Sequence, residues 1–210
     1  LSKQKILEIA KICEENSISY NVYTDKTILA TSLKYNVLYY YKENLKKEEN
    51  KKTNINIVKD MYEYVKEMKE DKFLKITVCD DNKTVFNYIM KKLKKINGIE
   101  VLDVSHMSRK VIRQGTEDIP IEYYYTEITS KDVDKWGAIE KLADRLQINK
   151  EEIMAIGDNM NDKRMVENAG LGVMMENCAP YMKEFADVIV KDNNNDGVAE
   201  AIEKYVLGEE

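Results

Sequence analysis

Long apolar runs are missing from this sequence, and none approaches the roughly 20 residues that a membrane-spanning helix requires. The opening residues Leu1-Ser-Lys-Gln-Lys5 have neither the apolar stretch of a signal peptide nor an amphipathic transit pattern. Cysteine is sparse: Cys13, Cys79 and Cys178 are odd in number and too far apart for a local ligand knuckle or a closed disulfide framework. A cytoplasmic, soluble protein is the expectation. Positive charge is not in excess either, with 33 Lys and Arg against 38 Asp and Glu and a net charge of −5. No global field draws in nucleic acid, and a polyanion binder is disfavoured. What the chain does have is 210 residues of which 43% are hydrophobic, enough to bury a core in one large or two modest domains.

The pattern changes character along the chain. Ile6, Ile9, Ala10 and Cys13 repeat at helical spacing behind a capping Ser2 and predict a helix to about Asn16. Stretches rich in β-branched and aromatic residues then predict strands over 18–24, 27–31 and 36–41, followed by a solvated Lys/Glu/Asn segment over 45–53. Val58, Met61, Tyr62, Val65 and Met68 predict a second helix, and Phe73–Cys79 a strand. Phe86, Ile89, Leu93 and Ile96 predict a third helix, capped by Asp81 or Asn82 and stopped by Gly98. Strands over 99–104 and 121–128 complete an α+β module over residues 1–125. From residue 126 to 210, helices and strands alternate regularly: helix 136–146, strand 153–157, helix 161–168, strand 171–175, a short helix near Pro180, strand 188–190 and helix 198–206. That alternation is the signature of a parallel, doubly wound α/β arrangement. One segment, Asp192 to Asp196, is biased toward Asn.

The strand at Ile153–Ile156 runs straight into Gly157-Asp158-Asn159-Met160-Asn161-Asp162. Two carboxylates therefore lie at the C-terminal end of a strand, where open α/β sheets leave a crevice faced by helix N-termini. Asp158 and Asp162 are four apart across a turn that Gly157 permits, so both could approach one hard cation such as Mg²⁺. The same residues would also serve as a plain Asx-turn and helix cap.

Four strings decide between these readings: Glu127 to Ile139 with Lys135 at its centre, Gly157 to Met165, Ala169 to Asn177, and Asn195 to Ile202. In order and spacing, they resemble the C-terminal third of the haloacid dehalogenase-like hydrolases, and most of all the Cof-type phosphatases, continuously over residues 126 to 206. The resemblance implies a partial Rossmann-like core over 126–210 with a separate α+β cap domain over 1–125. It also implies that Lys135 steadies the nucleophile and phosphate oxygens as catalytic and phosphate-binding residue, where charge builds up in phosphoryl transfer. Asp158 and Asp162 would bind Mg²⁺, and Asn161 and Asn177 would face the same crevice, Asn161 on the phosphate side. The implied substrates are small phosphorylated metabolites such as sugar phosphates. No nucleic-acid or membrane partner is implied.

Members of that family use an aspartate nucleophile in an Asp-x-Asp-Gly-Thr motif, with a second acid as general acid/base. These 210 residues contain no such motif. Asp132-Val-Asp134 lacks the Gly-Thr and leads into Lys135, while Cys79 to Thr84 reads as helix capping. The expectation is a cap plus the C-terminal half of a core, inactive alone, its nucleophile lying outside this chain. Its exposed core strand would pair with the missing N-terminal segment or with a second copy. A truncated, catalytically inactive binding or interaction protein is the alternative.

The remaining features have plain explanations. His106 has no sequence partner that would make it a catalyst. Tyr39–Tyr41 and Tyr123–Tyr125 read as strand residues that pack. Arg109, Lys110 and Arg113 form a basic cluster, either a solvated loop or a contact for an anionic substrate.

Overall fold

The helices and strands follow from where apolar side chains find something to cover. The computed structural model describes residues 1–69, 72–102, 107–114, 116–131 and 133–208. His106 and Asp132 lie outside them. The chain divides into two compact units, Leu1–Lys131 and Asp132–Glu210, in an α/β protein with one mixed and one wholly parallel sheet.

The first unit runs α1 (Lys3–Glu15), β1 (Ser19–Thr24), β2 (Ile28–Ala30), α2 (Tyr35–Asn44), β3 (Ile55–Ile57), α3 (Met61–Glu67), β4 (Phe73–Asp80), α4 (Lys83–Leu93), β5 (Ile99–Val101), β6 (Ser108–Gln114) and β7 (Glu117–Ser130). Its strands are ordered β3-β2-β1-β4-β7-β5, with β6 paired to β7. The period of two along a strand gives the sheet two different faces. Val22, Ile76, Val78 and Ile128 pack with Ile6, Ile9, Ala10 and Cys13 of α1, Met61 and Val65 of α3, and Phe86, Ile89 and Leu93 of α4. The alternate positions put Asn21 beside Thr77 and Thr77 beside Glu127 in register. Ser2 accepts from the Lys5 N–H and Asn82 from those of Thr84 and Val85, where the sequence expects caps, and Asp60 accepts from the Glu63 N–H at the start of α3.

Two expectations are corrected here. Residues 36–41 are helical in α2, not extended. Their aromatic content favours strands, but Val37 and Tyr40, three apart, join Ile28 and Ala30 in a small cluster that only a helical spacing can form. The cluster Arg109, Lys110 and Arg113 sits on β6, which pairs with the first half of β7, and is not a loop. The Arg109 guanidinium meets Glu122 at 3.2 Å, and the Lys110 ammonium lies 4.9 Å from the Tyr39 ring centre. β3 is an element for which the sequence carries no expectation. Its three residues pair in parallel with β2, and their apolar signal is too short to register alone.

The second unit runs α5 (Lys135–Leu146), β8 (Met154–Gly157), α6 (Lys163–Asn168), β9 (Leu171–Met175), β10 (Val188–Val190) and α7 (Gly197–Ile202). 3-10 turns at Lys150–Glu152 and Met160–Asp162 and a longer 3-10 segment at Pro180–Phe185 lie between them, and a π-turn follows α7. The sheet is parallel, ordered β10-β9-β8. Val166, Met174, Cys178 and Met182 form one buried cluster, and Val173, Met175, Val190 and Ala201 another. In β9, whose register alternates between the two, one cluster lies on each face of the sheet. The three cysteines are unpaired and buried. Among the described residues, no helix is long and apolar enough to cross a membrane.

Candidate active site at the carboxyl ends of the parallel strands

β8 ends at Gly157, and the chain turns there against its own loop. A Cβ on Gly157 would stand 2.4 Å from the Cβ of Asp162, so only glycine lets Asp162 fold back over the strand end. Asn159 begins the 3-10 turn Met160–Asp162 and accepts from the Met160 N–H at 2.8 Å. The Asp162 side chain reaches back over this turn. Its Oδ2 accepts from the N–H groups of Asp158 at 3.0 Å and Asn159 at 3.1 Å, while its Oδ1 accepts from the Lys135 ammonium. Asp162 is 3% exposed, so this carboxylate is almost wholly removed from water.

Burial pushes the Asp162 carboxyl upward. The Lys135 hydrogen bond, the Asp158 N–H, the Lys135 charge and the Asn159 N–H together outweigh that and hold it below the usual aspartate range. Asp162 is therefore an anion whose two oxygens are both engaged within the chain. It performs the capping that its sequence position allows, and it also tethers a cation.

Lys135 opens α5. Asp134 caps that helix, accepting from the Gly137 N–H at 2.7 Å, and its other oxygen pairs with Arg164 of α6. This clamp fixes the start of α5 beside the acidic turn, so the Lys135 side chain, half exposed at 50%, ends at Asp162. The decoy acid Asp134 is thus a cap and ion-pair partner.

Asp158 is exposed, and its Oδ2 accepts from the Asn177 side-chain N–H at 3.2 Å. Asn161 is exposed on the 3-10 turn itself. The fold thus brings Lys135, Asp158, Asn161, Asp162 and Asn177 to the same end of the parallel sheet. Missed by sequence reasoning was the backbone of the Asn-rich loop: the Asn193 N–H donates to Asn177 Oδ1 at 3.1 Å. Composition alone marks that loop as biased without showing that it touches the site.

Among the described residues, no three His, Cys, Asp or Glu side chains converge to hold a metal ion. The donor set still fits a hard cation in part. Mg²⁺ keeps several waters and binds proteins through one or two carboxylates, and Asp158 is an exposed carboxylate with one oxygen engaged.

An open parallel α/β sheet with an acidic turn and a tethered lysine at its strand ends places the chain in the class of α/β proteins whose ligands bind in the crevice outside the carboxyl ends of the strands. The family model of the haloacid dehalogenase-like hydrolases matches residues 1–202, and the chain belongs to that family. It is 29% identical over 145 residues, 69% of this chain and 51% of the relative, to the 5-amino-6-(5-phospho-D-ribitylamino)uracil phosphatase of Bacillus subtilis. Over 99 residues it is 33% identical to the phosphoglycolate phosphatase of Methanothermobacter thermautotrophicus, covering 45% of each. The chain therefore spans about half the length of these relatives. A haloacid dehalogenase-like hydrolase from Bacteroides thetaiotaomicron shares the fold with TM-score 0.70 at 24% identity, covering 97% of this chain and 67% of that one. One from B. subtilis does so with TM-score 0.71 at 21% identity, covering 98% and 71%.

Proposed function

We propose that this chain carries the cation- and phosphate-handling part of a phosphomonoester phosphatase. One observation carries the reading: Asp162 tethers the Lys135 ammonium to the turn that presents Asp158, so a positive and a negative group share one strand end. Lys135 would pair with the phosphoryl oxygens as charge shifts on them, and its tether lowers the cost of ordering a long side chain. Asn161 would offer its exposed amide to the same oxygens. Asp162, offered by the sequence as a second cation ligand, holds Lys135 and the turn, leaving Asp158 as the residue that would meet Mg²⁺ directly. When bound, that ion would supply Lewis-acid neutralisation of the phosphate charge.

The nucleophile lies outside these 210 residues, since no Asp-x-Asp-Gly-Thr occurs in them. Residues 1–125 would act as the cap and 126–210 as the C-terminal part of the core. Small phosphorylated metabolites, sugar phosphates among them, are the proposed substrate class; the phosphatase names of the two relatives support a phosphorylated substrate. The test is hydrolysis of p-nitrophenyl phosphate with Mg²⁺. The 210-residue chain should be inactive. A polypeptide joining it to an Asp-x-Asp-Gly-Thr segment should turn over, and Lys135→Ala or Asp158→Ala should lower its kcat/KM by about 100-fold or more. Turnover by the 210 residues alone, abolished by Asp158→Ala, would overturn the placement of the nucleophile. An active joined protein indifferent to both substitutions would overturn the site.

A further inference from the structure

Asn177 sits between β9 and the 3-10 turn at Pro180, and its backbone neighbours are pinned. The Glu176 N–H donates to the Val190 carbonyl at 2.9 Å and the Cys178 N–H to the Met175 carbonyl at 3.0 Å. Its side chain makes two directed bonds of opposite polarity. Oδ1 accepts from the Asn193 N–H, at 3.1 Å, and Nδ2 donates to Asp158 Oδ2, at 3.2 Å. The first bond fixes which end of the amide is oxygen, so the second must be a donation. Aspartate at 177 could not make both contacts without facing one carboxylate with another.

The loop that supplies the Asn193 N–H is itself tightly determined. The Asp192 carbonyl accepts from the N–H groups of Asn195 at 3.2 Å and Gly197 at 3.1 Å. The Asp192 side chain accepts from the Asn194 N–H at 2.9 Å and the Asn195 amide at 2.8 Å. Asp196 takes the left-handed conformation at φ 57°. A Cβ on Gly197 would come within 1.8 Å of the Lys191 carbonyl oxygen, so only glycine closes this loop. A chain of contacts thus runs from a rigid loop through one amide to an exposed carboxylate.

We propose that Asn177 is a positioning residue for Asp158, and that the 192–197 loop, through the Asn193 N–H, sets the direction in which Asp158 presents its other oxygen to a divalent cation. The inference rests on the reading of Asp158 as the cation-binding carboxylate. Groups that orient a metal ligand from behind commonly matter about ten-fold or more for affinity.

Manganese(II) is the probe, added to the 210-residue chain and followed by electron paramagnetic resonance for Kd and by NMR line broadening for location. In the wild type, broadening should begin at the Asp158 and Asn159 amides and the Asn177 side-chain NH₂, and Asp158→Asn should abolish saturable binding there. Asn177→Ala should raise Kd about ten-fold with Trp136 fluorescence and the melting temperature unchanged. Asn193→Pro, which deletes the donor N–H, should raise Kd likewise; where that variant fails to fold, Asn177→Ala decides. Binding lost in Asp158→Asn but unchanged in Asn177→Ala overturns this inference alone. No saturable binding by the wild type overturns the cation reading and this inference with it.

Discussion

Asp162, which the sequence offers as a cation ligand, is held by its neighbours through both of its oxygens. Its carboxylate is nearly buried, accepts two backbone N–H groups and pairs with Lys135. Because the folded state holds the group below its ordinary value of 3.8, ionisation favours folding. That contribution is fully present above the unfolded value and is lost as pH falls through the lower folded one. Asp162→Asn should therefore cost about 1–3 kcal/mol at pH 7, through weakened hydrogen bonds to a charged acceptor. The difference between variant and wild type should shrink as pH drops below about 4. Urea unfolding followed by Trp136 fluorescence at pH 7 and pH 3 checks this; an equal difference at both would show that the carboxylate charge contributes nothing.

At the scale of elements, α2 is the instructive case. It lies on the polar side of the larger sheet and closes a network that no strand at that position could make. The Asn36 amide donates to the Tyr23 hydroxyl at 2.8 Å and to Thr77 Oγ1 at 3.4 Å, and its Oδ1 accepts from the Asn21 amide at 3.0 Å. Asn21 and Thr77 are themselves buried. Removing one member of such a layer strands the others away from water. Asn36→Ala should destabilise the first unit by about 1–3 kcal/mol, read as a shift in the urea midpoint by circular dichroism. Asn36→Asp should do no better, because it replaces a donor to Tyr23 with a charge. A midpoint unchanged in both variants would mean that water satisfies the network as well as Asn36 does.

For the whole molecule, the two units differ in how much apolar surface they bury. The first has one large core beneath three helices and a small second cluster at α2, whereas the second has two small clusters, one on each face of a three-stranded sheet. Leu142, Leu146, Val206 and Leu207 remain exposed in the second unit. Stability scales with apolar burial, so the second unit should unfold first. Trp136, the sole tryptophan, is buried in that unit and reports it selectively. Its fluorescence midpoint in urea should fall below the midpoint seen by far-ultraviolet circular dichroism. Coincident transitions would instead show that the chain unfolds as one cooperative body.

The sequence by itself determined most of what is locally encoded. Ser2, Asp60 and Asn82 cap helices because a short side-chain acceptor before an apolar period has little else to do. The alternation after residue 135 produces a parallel sheet, and the ordered strings around Lys135 and Asp158 carry the family. Tertiary structure decided the rest, wherever a residue's partner lies far along the chain. Residues 36–41 became helical because Val37 and Tyr40 had a cluster to join. Strand β6 formed because β7 offered it an edge. Asp162 became the anchor of Lys135, 27 positions away, and Asn177 the link between Asp158 and a loop backbone. Propensity and spacing report what a segment favours alone. A hydrogen bond or packing contact between distant segments exists only once the chain has closed, and it is there that a side chain's role is settled.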